Sequence, residues 1–383
     1  MANEMLADLG FEKRLDHRAH KDRGNELEPD VSIGPTISRG FEGPLTAERR
    51  ERQSQSRTRN QERIAIKPEI LIASVAREKA TFTKRDLAYA LRRATGLEWD
   101  DPDFDALVAA VLASPDLVTI ASDERGPARY ATRDMIACEA EMAKAAGALA
   151  RRTSSQVHRT AKPAGLSVEQ LRAFAHAVAG PDLTLISGVA GAGKTTTLKA
   201  IAATLQAHGH RVRGAALAGI AATRMSEEAG IEATTLAGLF HGWDKGLAEG
   251  PSSPLQKGDV LIVDEAGMVD SRDMRRLLRA TEAAQARVIL VGDAQQLQAI
   301  GAGAAFRALK DTHGAAELRE LRRQRDDWMK DATSELQQGD VEQALRRYGE
   351  AGALRPAATS PQAMDALIET WRKDRGAGHS QLI

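Results

Sequence analysis

The segment Gly188-Val189-Ala190-Gly191-Ala192-Gly193-Lys194-Thr195 restricts this chain more than any other stretch. Ahead of it, Leu183-Thr184-Leu185-Ile186-Ser187 reads as a short buried strand; behind it, Thr196 to His208 reads as a helix closed by Gly209. A strand that passes into a helix through so glycine-rich a loop can turn its backbone N–H groups inward around an anion. The helix N-terminus adds favourable partial charge. Lys194 can neutralise β- and γ-phosphate oxygens, and the Thr195 hydroxyl can hold Mg²⁺. Taken alone, such a match also serves as a plain turn. The flanking strand and helix decide for a nucleoside triphosphate site over Gly188 to Thr196, with ATP and Mg²⁺ as the expected ligands.

The length of 383 residues allows two or three domains with ample core. The formal charge is zero, so no global field recruits nucleic acid or an anionic membrane, and any such contact must come from local patches. The single cysteine, Cys138, excludes an internal disulfide framework and a Cys-based metal cluster, and suits a reducing compartment. No apolar run approaches the roughly 18 residues needed to span a bilayer. Met1 to Gly10 does not read as a signal peptide. These features predict a soluble cytoplasmic protein without membrane insertion.

Composition shifts divide the chain. Residues 1–65 are charged, poor in aromatics and broken by Gly and Pro, which predicts a loosely ordered arm. Its arginines at 49, 50, 52, 57, 59 and 63 could touch phosphates, but the interspersed Glu48, Glu51 and Glu62 favour a solvated face. Residues 66–134 carry three helical stripes, with Thr83 capping the second and Asp86 placed to answer it. Leu117–Ile120 and Ala128–Ala131 could pair as a hairpin across Asp123-Glu124-Arg125-Gly126. That order suggests a small winged-helix-like α+β module, equally suited to DNA contact and to spacing. An Ala-rich helix and a polar linker fill 135–165. From residue 166 to 316 strands and helices alternate as in a doubly wound parallel sheet, with further strands at 212–217, 260–264 and 288–293. Ligands are expected at the strands' carboxyl ends.

Two acids end the apolar strand Val260-Leu261-Ile262-Val263. Buried carboxylates are costly without a partner, and a metal supplies one. Asp264 can orient the Mg²⁺ shell, and Glu265 can polarise an attacking water. Gly292-Asp293-Ala294-Gln295-Gln296 follows the next strand, where the Gln296 amide can sense a γ-phosphate. Gln170, after the helix cap Ser167, could read an adenine edge, though a surface glutamine is the simpler reading of that residue alone. Arg323 lies in Glu320-Leu321-Arg322-Arg323-Gln324; its planar fork suits a developing phosphate charge, and without context it is an ordinary charged turn.

Together the blocks GVAGAGKTTTL, VDEAGMV, VGDAQQLQAIGAG and LRRQ resemble superfamily-1 DNA helicases of the RecD/TraI-like branch, most nearly the helicase half of TraA-type conjugative transfer relaxases. The resemblance covers about 166–350 and implies a RecA-like P-loop NTPase domain. It implies that Gln170 reads adenine, and that Lys194 and Thr195 hold phosphate and Mg²⁺. Asp264 and Glu265 would be the metal-orienting and catalytic acids, Gln296 the sensor, and Arg323 the γ-phosphate arginine. Residues 214–222 and Thr234-Thr235-Leu236 resemble segments that carry single-stranded DNA, although Ile220 stands where relatives commonly have Lys or Arg. Single-stranded DNA and conjugation-apparatus proteins are the implied partners, and 5′→3′ movement the implied polarity.

The resemblance further implies a second RecA-like motor domain, which residues 317–383 would only begin, and a relaxase nuclease ahead of Leu15-Asp16-His17-Arg18. The expectation is a fragment of a larger relaxase-helicase or a truncated gene product. Two other readings stay open: a P-loop kinase, and a vestigial DNA- or partner-binding fragment that binds ATP without unwinding.

Overall fold

The structure, a computed structural model, describes residues 26–28, 44–120, 127–154, 157, 162–189, 191–247, 249–294, 302–320, 326–354 and 356–376. The chain forms two compact units: residues 1–188 with 195–317, and residues 189–194 with 318–383.

The larger unit begins with helix α1 (Pro44–Ile66). A loosely ordered arm was expected as far as residue 65, so this helix is a departure. No Gly or Pro interrupts Leu45 to Ile66, and Glu, Arg and Gln are good helix formers. Tertiary contacts hold the helix down. Ile64 is fully buried, and the Asn60 amide donates to the carbonyls of Glu28 (3.0 Å) and Ala94 (3.1 Å).

Helix α2 (Glu69–Glu78), strand β1 (Phe82–Thr83), helices α3 (Lys84–Thr95) and α4 (Pro102–Leu112), and strands β2 (Leu117–Ile120) and β3 (Arg129–Thr132) form the expected winged-helix-like module. Its sheet order is β1-β3-β2, antiparallel, with Leu117 opposite Thr132 and Ile120 opposite Arg129. Thr83 and Asp86 form the reciprocal cap that the sequence predicts, the Thr83 N–H donating to Asp86 at 2.8 Å. Leu71, Phe82, Leu87, Leu91, Phe104 and Val111 fill the core. The expected turn at 123–126 lies outside the described residues.

Helix α5 (Arg133–Arg151) is more than a connector. Met142, Ala145, Ala146 and Leu149 pack with Leu183, Leu185, Leu261 and Leu290 in the core of the second sheet. Small side chains at helical spacing let α5 lie close to that sheet. Helix α6 (Val168–Ala179) then leads into strand β4 (Leu183–Gly188), helix α7 (Lys194–Ala207) and strand β5 (Val212–Ala216). Next come helix α8 (Gly219–Ala229), strand β6 (Glu232–Thr235), helix α9 (Leu236–Lys245) and strand β7 (Val260–Asp264). Helix α10 (Ser271–Ala283), strand β8 (Arg287–Gly292), helix α11 (Ala305–His313) and strand β9 (Ala316–Leu318) complete the series.

The six-stranded sheet has the order β6-β5-β7-β8-β4-β9, and the β5–β6, β5–β7, β7–β8 and β4–β8 pairings are all parallel. This is the expected doubly wound, RecA-like arrangement. The four strands read from the sequence are its interior. The two unread strands, β6 and β9, are its edges, and edge strands carry a weak signal because they are short and half-polar.

Three arginines brace the sheet at its amino end. Arg152 pairs with the fully buried Asp182, and Arg213 pairs with Asp259 at 2.8 Å. Arg287 caps α6 by donating to the carbonyls of Val178 (3.2 Å), Gly180 (3.3 Å) and Ala177.

In the smaller unit, helices α12 (Asp327–Gln338) and α13 (Val341–Glu350) pack as a hairpin. Trp328 meets Tyr348 edge to face, and Arg347 bridges Glu335 (2.7 Å) and Asp331 (3.4 Å). Helix α14 (Ser360–Gly376) follows. The Val189 N–H donates to the Leu318 carbonyl at 3.1 Å.

Candidate nucleotide site

Strand register builds the site. Ser187 on β4 pairs with Gly292 on β8, Val263 on β7 with Leu290 on β8, and Ala216 on β5 with Asp264 on β7. Parallel strands in this register bring Gly188, Asp264, Gly292 and Leu217 to one carboxyl edge. That is where open α/β sheets take ligands. The loop 188–195 therefore leaves the sheet on the edge that carries the two acids.

Within the loop, Gly191 and Gly193 have φ of +85° and +78°, a left-handed backbone that a side chain would strain. Lys194 is the first residue of α7 and Thr195 the second, so loop N–H groups and a helix N-terminus stand in sequence, as anion binding requires. Ala192 is buried, Thr195 half-buried and Thr196 exposed. Ala190 lies outside the described residues, as do the proposed sensor Gln296 and the proposed arginine Arg323.

The acids are held by a turn of their own. Glu265 adopts φ +56°, ψ +31°, a left-handed conformation unusual for a side-chain-bearing residue. Its N–H donates to the Asp264 carboxylate at 2.8 Å. The chain can thereby end β7 at Asp264 and enter the short 3-10 turn Ala266–Met268 directly. Strain of this sort, of order 1–3 kcal/mol, gathers at functional positions.

The residues present suit a magnesium nucleotide. Gly191 and Gly193 hold the left-handed backbone that side chains would strain, and Thr195 and Asp264 offer the hard oxygen donors that Mg²⁺ prefers. Among the described residues no group of three or more His, Cys, Asp or Glu could hold a metal ion. Phosphate oxygens and water would have to complete the shell, as is usual for Mg²⁺.

Gln170 is buried, and its Oε1 accepts from the Ser167 N–H at 2.9 Å in a capping box that starts α6. Ile220 is 67% exposed at the start of α8. Thr235 uses its hydroxyl to cap α9, accepting from the Gly238 N–H at 3.0 Å. Sequence reasoning missed Lys310 on α11, whose Nζ lies 3.3 Å from the Ser187 hydroxyl and 2.7 Å from Glu317. It places an ammonium one residue before the phosphate loop, and a lone lysine in an amphipathic helix gives no sequence signal of that.

Residues 165–359 match the family described as AAA domain, AAA_30. The chain belongs to that family. Among its relatives, a probable conjugal transfer protein TraA of Sinorhizobium fredii is 37% identical over all of this chain and 36% of its own length. The ATP-dependent RecD2 DNA helicase of Deinococcus radiodurans is 36% identical over 42% of this chain and 22% of its own length. The chain thus spans about a third of the TraA relative. Among solved structures, the Pif1 helicase from Candida albicans aligns over 51% of this chain and 49% of its own, at 22% identity and a TM-score of 0.38. The AAA_30 chain is a superfamily-1 helicase relative of the TraA/RecD type, as its motif blocks predict. Among the described residues no helix is long and apolar enough to cross a membrane.

Proposed function

We propose that this chain is an ATP-hydrolysing motor domain of a DNA helicase, acting on single-stranded DNA in conjugative transfer. One observation carries the reading: parallel register puts the Asp264–Glu265 turn on the edge from which loop 188–195 departs.

The loop N–H groups and Lys194 bind and orient the triphosphate, and Gln170 selects adenine. Thr195 and Asp264 hold Mg²⁺, which draws charge from the β- and γ-phosphates when bound. Glu265 orients a water for in-line attack on the γ-phosphorus and accepts its proton. Lys194 and Arg323 stabilise the charge spreading onto the γ-oxygens, and Gln296 senses its departure. Within segments 214–222 and 234–236, the exposed residues 217–220 and the half-buried Thr234 and Thr235 face single-stranded DNA, and conjugation proteins are the further partners. The cytoplasm, where ATP is available, is the compartment for this work.

The test is ATP turnover by the whole chain with and without single-stranded DNA. Stimulation by DNA, together with loss of turnover in Lys194→Ala, supports the motor. Phosphate transfer to an acceptor other than water, indifferent to DNA, would make it a kinase. ATP binding without turnover would leave the vestigial fragment.

A further inference from the structure

The chain has only 3 tyrosines and 4 tryptophans, yet Tyr89 and Trp99 stand side by side on the module surface, 49% and 45% exposed. Their ring centroids are 5.2 Å apart, edge to face, and Trp99 in turn meets the buried Phe104 at 5.1 Å. The pair is therefore fixed in place by packing before any ligand arrives. Holding so much aromatic surface in water is unfavourable unless something covers it.

Cations accompany the rings. Arg85, Tyr89, Arg92 and Arg93 recur at helical spacing along one face of α3, and Lys84, Arg85 and Arg93 are exposed. The Arg85 and Arg92 guanidinium carbons each lie 5.5 Å from the Tyr89 and Trp99 centroids, respectively. Of the nearby acids, Asp100 beside Trp99 is exposed, whereas Asp86, Glu98 and Asp101 are engaged. Asp86 closes the α3 cap and pairs with Lys79 at 2.5 Å. Glu98 pairs with Arg92 at 2.7 Å, and Asp101 caps α4. The exposed face of α4, by contrast, carries Asp103, Asp105, Ala106, Ala109 and Ala110, with no cation. It would repel phosphates and has no side chain long enough to read bases in a groove.

We propose that the α3 face of this module is a binding platform for single-stranded DNA, with bases stacked on Tyr89 and Trp99 and phosphates met by Lys84, Arg85 and Arg93. The inference rests on the reading that the chain works on single-stranded DNA, and it assigns that strand a site outside the sheet edge. Exposed aromatics bind any base through its π-face, and cations alongside them track the backbone. The acids of α4 confine the strand to the α3 side.

The experiment titrates the whole chain, without nucleotide, into fluorescein-labelled (dT)12 and follows anisotropy and tryptophan fluorescence. Tyr89→Ala and Trp99→Ala should each weaken binding about tenfold, the worth of one lost base stack. Trp99→Phe should restore most of it, whereas Trp99→Leu, which keeps an apolar contact on Phe104, should not. Arg93→Ala should lower the slope of log affinity against log salt by about 0.7. Asp103→Asn should tighten binding. Ring variants with wild-type melting temperatures that bind within twofold of wild type overturn the proposal, as does a wild-type chain that fails to bind the oligonucleotide. DNA-stimulated turnover unchanged in affinity by Trp99→Ala would sink the platform and spare the motor. Ring-dependent binding by a chain without turnover would do the reverse.

Discussion

Gly267 and Gly292 meet backbone to backbone. A Cβ on Gly292 would come within 2.7 Å of the Gly267 nitrogen, and one on Gly267 within 2.6 Å of the Asp293 carbonyl oxygen. Gly267 belongs to the turn that follows the two acids, and Gly292 ends the strand that leads toward Gln296. The close approach locks the two motif blocks together and explains in steric terms why each contains a glycine.

Gly292→Ala should therefore force the β7 turn away from β8. An overpacking cost of about 1–3 kcal/mol is expected, with a lower melting temperature and a fall in ATP turnover. Gly147→Ala, within α5 where a Cβ would meet only the Arg151 side chain at 3.4 Å, should be neutral or stabilising. Thermal melts of both variants decide whether the contact or mere loss of glycine matters.

Glu265 joins a strained backbone to its proposed catalytic role. Glu265→Gly relieves the left-handed backbone at φ +56° and should melt no lower than wild type. Turnover should fall at least about 100-fold, the usual scale for losing a positioned proton acceptor. A Glu265→Gly variant that still hydrolyses ATP at the wild-type rate would remove Glu265 from the mechanism.

Arg213 is fully buried, donating to Asp259 and to the carbonyls of Ser253 and Pro254. Arg213→Met strands the Asp259 carboxylate, which is only 4% exposed. Removing one partner of a buried pair costs about 3–5 kcal/mol. The urea midpoint should drop accordingly, whereas turnover per folded molecule should hold, because the pair lies away from the sheet's carboxyl edge.

Acid should weaken the fold through His176. Burial, aided by the neighbouring Arg287 guanidinium, holds its imidazole below the ordinary value of 6.5. The unfolded chain then takes up a proton first, so this contribution is complete above about pH 6.5 and is lost as pH falls toward the folded value. Between pH 7 and 5.5 the melting temperature of wild type should decline more steeply than that of His176→Gln. Parallel slopes would count against the assignment.

Much of the candidate nucleotide site is legible because its chemistry is local. Loop 188–195 needs glycines, a lysine and a hydroxyl in fixed order, and acids at the end of an apolar strand are conspicuous at Asp264 and Glu265. The interior strands were readable from continuous Val, Ile and Leu. Edge strands β6 and β9 were not, since short half-polar segments such as Glu232–Thr235 gain their structure from a neighbour. Helix α1 was missed for a related reason: its charged sequence reads as solvated, and only Ile64 and Asn60 finding partners elsewhere fix it.

The sequence by itself determined which residues are candidates to bind phosphate and metal, and the parallel architecture that carries them, because spacing and hydropathy are properties of neighbouring residues. Tertiary structure alone decided that Gly267 abuts Gly292, that Lys310 reaches Ser187 and that Tyr89 meets Trp99. Those relations join residues from different elements, and only the packing of a particular sheet and module sets the distances between them.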